Sequence, residues 1–191
     1  MKIQYNSILI ITYFIISFIV LILNYISHDK LNKALFSSYR SSLLNPLTYI
    51  RLFTHSIGHN GWSHFMNNFL YILLIGPMME EKFGTINLLL MMVITSGIIG
   101  IFNSIFSKKR ILGASGIVYM LITLSSAVNI EDGKIPLTLI LICVFYIVNE
   151  VFKMLFKKDN VSHGSHLLGA LCGVLFIFIP IERILMLLTL R

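Results

Sequence analysis

Residues 111–130 read ILGASGIVYMLITLSSAVNI, 20 consecutive positions without an Asp, Glu, Lys or Arg. A helix rises about 1.5 Å per residue, so about 20 apolar residues match the roughly 30 Å hydrocarbon layer of a bilayer. The stretch also opens on small residues, Gly113, Ala114, Ser115 and Gly116, which suit close helix contact better than contact with lipid. Five more intervals lacking the same four residue types surround it, at 3–28, 52–79, 83–107, 135–149 and 160–181. Most of them are long enough to hold a spanning helix.

The whole chain agrees with this reading. Of its 191 residues 57% are hydrophobic and only 12% are charged, against roughly 25% charged in soluble domains, which excludes an ordinary water-soluble globule. The predicted fold class is all-α: one polytopic membrane domain over 1–191, with six helices at about 8–26, 62–79, 85–106, 112–130, 136–152 and 164–180. The first apolar stretch is longer than a secretory h-region and lacks a small-x-small cleavage site, so it reads as a retained helix. A long polar first connection, about 29–61, holds Asn45-Pro46. Segment 2 stops at Glu80, Glu81, Lys82 and Gly84, segment 5 follows the turn Glu131-Asp132-Gly133-Lys134, and 184–190 either prolongs the last helix or lies at the interface. The net charge of +7 comes from bases that flank apolar segments. That pattern fits anionic lipid headgroups and excludes nucleic acid as the expected partner. Cys143 and Cys172 lie inside apolar segments, so they read as small buried hydrophobes, with neither a disulfide framework nor a Cys-rich metal site.

A helix in lipid satisfies its own backbone, so polar side chains inside a span need a separate cause. Segments 1, 3 and 5 carry Thr12, Ser17, Thr95, Ser96, Asn103 and Thr138, most of which back-bonding to the preceding turn explains. Segments 2, 4 and 6 carry more reactive types: His64, Asn67 and Asn68, then Ser115 with Tyr119, then His163 and His166. A lone intramembrane His or Ser is ordinarily a helix-packing hydrogen bond. These differ because even-numbered helices run in one direction, which sets His64, Ser115 and His166 at a shared depth about one turn below the same surface. His64 and Asn68 share a helix face, as do Ser115 and Tyr119, and Ser165, Gly169 and Gly173 form a ladder of small residues. Packing that ladder on the Gly113–Gly116 turn would bring His166 to Ser115. A histidine within hydrogen-bond distance activates a serine hydroxyl. His64, the Asn68 amide and backbone N–H groups at Ser115 are suitable donors for the oxyanion that results.

At these residues the chain resembles the rhomboid family of intramembrane serine proteases, of the bacterial six-helix type. The match is carried by Arg51 through His55, His59, His64 and Asn68 to Glu80 and Gly84, by Gly113-Ala114-Ser115-Gly116 with Tyr119, and by His166 with Gly169 and Gly173. The resemblance implies that Ser115 is the nucleophile and His166 its base, in a dyad without a third acid. Segment 6 indeed has no Asp or Glu near His166. It further implies an oxyanion hole of His64, Asn68 and Ser115, a supporting role for Tyr119, Gly113, Gly116, Gly169 and Gly173, and structural roles for His55, His59, Arg51 and Glu80. The family commonly has Trp-Arg where this chain has Ile50-Arg51, and Ala where it has Ser165.

The function implied is hydrolysis of a peptide bond in or near the transmembrane helix of another membrane protein, without metal or cofactor. The resemblance has substrate enter sideways between segments 2 and 5, with 157–162 as a cap. It places the N-terminus in the cytoplasm and the site toward the outer face of a bacterial inner membrane. On that topology ten of the fifteen bases face outward, the reverse of the usual cytoplasmic excess. The chief alternative is a non-proteolytic relative that binds transmembrane clients, against which the presence of both Ser115 and His166 argues. A metal-binding membrane protein using His55, His59, His64 and His163 lacks the spacing of a helical zinc motif. No residue pattern sets an oligomeric state.

Overall fold

The computed structural model describes residues 5–127, 134–156, 162–179 and Ile181. The regular elements among them are helical: α1 Ile8–Ile26, α2 Lys30–Ala34, α3 Pro46–Thr54, α4 Trp62–Phe83, α5 Thr85–Phe106 and α6 Ser115–Ala127, then α7 Leu137–Ile142, a π turn Cys143–Ile147, α8 Val148–Phe156 and α9 His163–Phe178. The expected turn at 131–133, the cap at 157–161 and the segment 184–190 lie outside the described residues.

The helices begin and end where the chain chemistry changes. Gly84 ends α4 with φ 80°, a left-handed value, and returns its N–H to the Glu80 carbonyl at 2.8 Å, a stop that glycine makes without strain. The Glu80 carboxylate accepts from the Thr85 hydroxyl at 2.7 Å, from the Leu9 N–H at 3.3 Å and from the Ser7 hydroxyl. One buried carboxylate thus fastens the start of α1 to the end of α4.

Two helices, α1 and α5, are long and apolar enough to cross a membrane by length and composition, while α6 and α9 are apolar but shorter. The six-span expectation therefore meets two clear spans among the described residues. The other candidates fall short for local reasons. The 22 residues of α4 carry His64, Asn67, Asn68 and a charged end, and the π turn divides segment 5, expected as one helix, into α7 and α8.

The first connection, expected as loop, contains α2 and α3. Asn45 caps α3 by accepting the Leu47 N–H at 3.0 Å, and Pro46 takes the first helical position, where its missing donor is harmless. Arg51, 3% exposed, reaches the Ala34 carbonyl at 3.3 Å and the Ser41 hydroxyl at 2.8 Å, and lies 4.4 Å over the Tyr39 ring. Gly97 and Gly100 on α5 leave room for the Phe53 ring and the Leu52 backbone, so α3 lies directly across α5.

The tightest seam joins α6 to α9. A Cβ on Gly169 would run into the Gly116 carbonyl, and one on Gly173 into the Thr123 hydroxyl and the Met120 carbonyl. The Thr123 hydroxyl donates across the seam to the Ala170 carbonyl at 3.1 Å. Around this pair Phe65, Phe69, Met91, Met120, Leu121 and Phe176 form one buried cluster.

Candidate active site

The seam fixes the first relationship of the site. Ser115 is the first residue of α6 and His166 lies in the first turn of α9, and the seam holds the Ser115 hydroxyl 3.0 Å from His166 Nε2. Nδ1 of the same ring lies 2.8 Å from Glu150 Oε2. An ionised carboxylate only accepts, so Nδ1 carries the proton and Nε2 presents its lone pair to the hydroxyl. The Tyr119 ring stacks on His166 with centroids 4.4 Å apart and planes 11° apart, which fixes the imidazole plane.

The expectation that no acid stands behind His166 is corrected here. Glu150 lies on α8, so an inspection of segment 6 alone misses it. Its nearly buried side chain, 3% exposed, also meets His163 Nδ1 at 2.6 Å, the Tyr119 hydroxyl at 3.0 Å and Lys153 Nζ at 3.2 Å. Glu150, His163 and His166 each offer a ligand atom within 4.8 Å of the others, so this is the group among the described residues that could hold a metal. Here the carboxylate hydrogen-bonds to both rings.

The first connection holds the turn that carries Ser115. Ser38 and Ile111 exchange two backbone hydrogen bonds at 2.9 Å, the His55 carbonyl accepts the Gly113 N–H at 2.9 Å, and His59 Nε2 accepts the Ala114 N–H at 3.4 Å. His59 Nδ1 donates to the Ile57 carbonyl at 3.0 Å, and His55 Nε2 donates to the Ser96 carbonyl at 3.0 Å. Both rings are thus neutral and occupied by backbone groups. Burial lowers the pKa of His55 to about 4. Burial, followed by the nearby His64, lowers that of His59 to about 3. Burial raises the Asp29 pKa, but its ion pair with Arg110 at 2.8 Å outweighs this and leaves the carboxyl below its usual range.

Facing Ser115 is a cavity of about 420 Å³, lined by His64, Asn68, Gly113, Ser115, Ser165 and His166 among others. His64 Nδ1 accepts the Asn60 N–H at 3.4 Å, which makes Nε2 the protonated, donating nitrogen. A Cβ on Gly113 would stand 2.6 Å from that Nε2 and 3.5 Å from Asn68 Nδ2, and Gly113 has φ +117°, so both space and backbone require glycine there. Asn68 Nδ2 is buried without a hydrogen-bond partner. At the start of a helix the first-turn N–H groups, Ser115 included, have no acceptor within the helix. Of the residues singled out from sequence, Ser115, His166, His64, Asn68, Gly113 and Gly116 all border this cavity. Tyr119 stands behind His166, and Gly169 and Gly173 serve the seam. Asn67 is not among the lining residues.

The profile of the Rhomboid domain family matches residues 46–183. Rhomboid protease GlpG of Yersinia pseudotuberculosis is 26% identical over 141 residues, covering 70% of this chain and 50% of the relative. The Yersinia pestis protein of the same name matches to the same extent. Rhomboid protease GlpG of Haemophilus influenzae is 24% identical over 132 residues, 68% of each chain. This chain spans about half the length of the Yersinia relatives it matches. The matched residues 46–183 run from α3 through α9, and across that span this chain belongs to the rhomboid family of integral membrane proteins.

Proposed function

We propose that this protein is an intramembrane serine endopeptidase that cuts a peptide bond in or near the transmembrane helix of other membrane proteins. The observation that carries this reading is the 3.0 Å contact between Ser115 Oγ and His166 Nε2 at the edge of a cavity that also receives His64 and Asn68. The protease names of the relatives support it.

In the proposed reaction Ser115 Oγ attacks the scissile carbonyl carbon while its proton passes to His166 Nε2. The carbonyl π electrons move to oxygen, and the oxyanion is met by Asn68 Nδ2, His64 Nε2–H and the Ser115 N–H. Collapse breaks the C–N bond, and the leaving amine takes the proton from Nε2. Water then repeats the cycle on the acyl-serine: His166 takes its proton, the acid product leaves, and Oγ is reprotonated. A helical carbonyl is already hydrogen-bonded and shielded, so substrate must unwind locally to present one. Gly113 and Ala114 beside the nucleophile favour a small substrate side chain.

The membrane reading that accompanies this has six spans, formed by α1, α4, α5, α6, the α7–α8 unit and α9. The N-terminus lies in the cytoplasm and the cavity opens to the opposite face. Reporter fusions at the loops test it. The activity is tested by labelling with a fluorophosphonate and by cleavage of a transmembrane substrate in proteoliposomes. Both should be abolished by Ser115→Ala and His166→Ala in folded protein. Cleavage that survives Ser115→Ala overturns the assignment.

A further inference from the structure

We propose that Glu150 orients His166, so that Ser115, His166 and Glu150 act as a triad where the sequence pattern indicates a dyad. This rests on the serine protease reading above. The carboxylate acts on the ring through two independent contacts. Oε2 takes the Nδ1 proton at 2.8 Å, which fixes the tautomer whose Nε2 can accept from Ser115. Oε1 accepts the Tyr119 hydroxyl at 3.0 Å, and Tyr119 is the ring stacked on His166. One residue thereby sets both the proton position and the plane of the base.

The surroundings suit an ionised acid. His163 and Lys153 contact the same carboxylate at 2.6 Å and 3.2 Å, and a buried carboxylate with several donors stays charged while it shares them. When His166 takes the serine proton it becomes an imidazolium facing this negative charge. The proton stays on His166, and Glu150 remains a carboxylate throughout. Glu150 is not among the residues lining the cavity and reaches the Ser115 hydroxyl only through His166, so it is a positioning residue. A purely structural Glu150, bridging α8 to α6 and α9, would contribute to stability without affecting the chemical step.

The two roles separate experimentally. Glu150→Gln keeps the size but removes the charge and replaces one of the two acceptor oxygens with an amide donor. Expected in folded protein are a fall in kcat of about tenfold or more with KM unchanged, and an equal fall in the rate constant for fluorophosphonate labelling of Ser115. Glu150→Asp, which keeps the charge but withdraws it by one methylene, should recover part of that loss. Wild-type kcat and labelling in folded Glu150→Gln protein overturn the inference and leave the protease reading intact. If Glu150→Gln does not fold, Glu150→Asp carries the test: slower labelling at wild-type Tm supports the triad, and wild-type labelling at wild-type Tm overturns it. Wild-type activity lost to a chelator and restored by Zn²⁺ would make Glu150 a metal ligand and overturn it as well. A wild-type protein that neither cleaves nor labels at Ser115 defeats the underlying protease reading.

Discussion

The Ala114 amide donates to Nε2 of His59 at 3.4 Å, and the other nitrogen of that ring donates to the Ile57 carbonyl at 3.0 Å. A neutral imidazole is suited to this position because it accepts on one edge and donates on the other. It ties the residue before the proposed nucleophile to the first connection.

His59→Phe keeps the ring packing against Phe65 and Phe69, with centroids 5.4 Å and 5.6 Å away, and removes only the hydrogen bonds. The buried Ala114 N–H is then left without its acceptor, at a cost of about 1–3 kcal/mol. Thermal unfolding in detergent should show a lowered Tm, and labelling of Ser115 should slow as its turn loosens. An unchanged Tm would mean that the 3.4 Å contact contributes nothing.

The same burial makes stability pH-dependent. Folded His55 and His59 protonate only near pH 4 and 3, whereas unfolded histidines do so near 6.5. Below about pH 6.5 the unfolded chain therefore binds more protons, and stability falls with pH until the folded rings titrate. Above that pH both states are neutral and the effect vanishes. Each imidazole contributes up to about 1.4 kcal/mol per pH unit. Tm followed from pH 7 to 4.5 should decline, and His59→Phe should show a shallower decline than wild type. A flat profile between pH 6 and 5 would contradict burial of the two neutral rings.

What is legible in the sequence follows from how local each relationship is. The charge-free intervals mark the runs where α1, α4, α5, α6 and α9 form, because an apolar run carries its own signal. Ser115 and His166 are legible together because both sit at helix starts and the small residues of α6 and α9 indicate where backbones approach. Glu150 is hidden for two reasons. Its partner lies on another helix, and the π turn Cys143–Ile147 changes the face of α8 relative to a helix counted at 3.6 residues per turn from Pro136. The α3 helix has a visible signature, Asn45 as cap before Pro46, with Thr48 and Arg51 both buried one turn apart. Its polar surroundings conceal it, because the inward side is held by hydrogen bonds to Ser41 and Ala34.

Asn68→Ala separates catalysis from stability at one position. Its Nδ2 is buried and unpartnered, so removing it deletes no donor bond on which folding depends, and Tm should hold or rise. If Nδ2 stabilises the oxyanion, kcat should fall by about 10² to 10³ with KM little changed. A lowered Tm with wild-type kcat would reverse the assignment and make Asn68 a packing residue.

Gly169→Ala tests whether the α6–α9 seam sets the distance between His166 and Ser115. The added Cβ would run into the Gly116 carbonyl, which is backbone and cannot rotate away, so α9 must shift. Such overpacking costs about 1–3 kcal/mol. Gly169 lies three residues from His166, so the shift carries the imidazole with it. A displacement of about 1 Å at a reacting pair can cost about 10²-fold, so labelling of Ser115 should fall well beyond what the loss of folded protein explains. Gly164→Ala is the control on the same helix, since its Cβ meets only the Phe102 ring at 3.9 Å, and it should leave Tm and labelling near wild type. Equal behaviour of the two variants would mean that the small residues of α9 do not set the site's geometry.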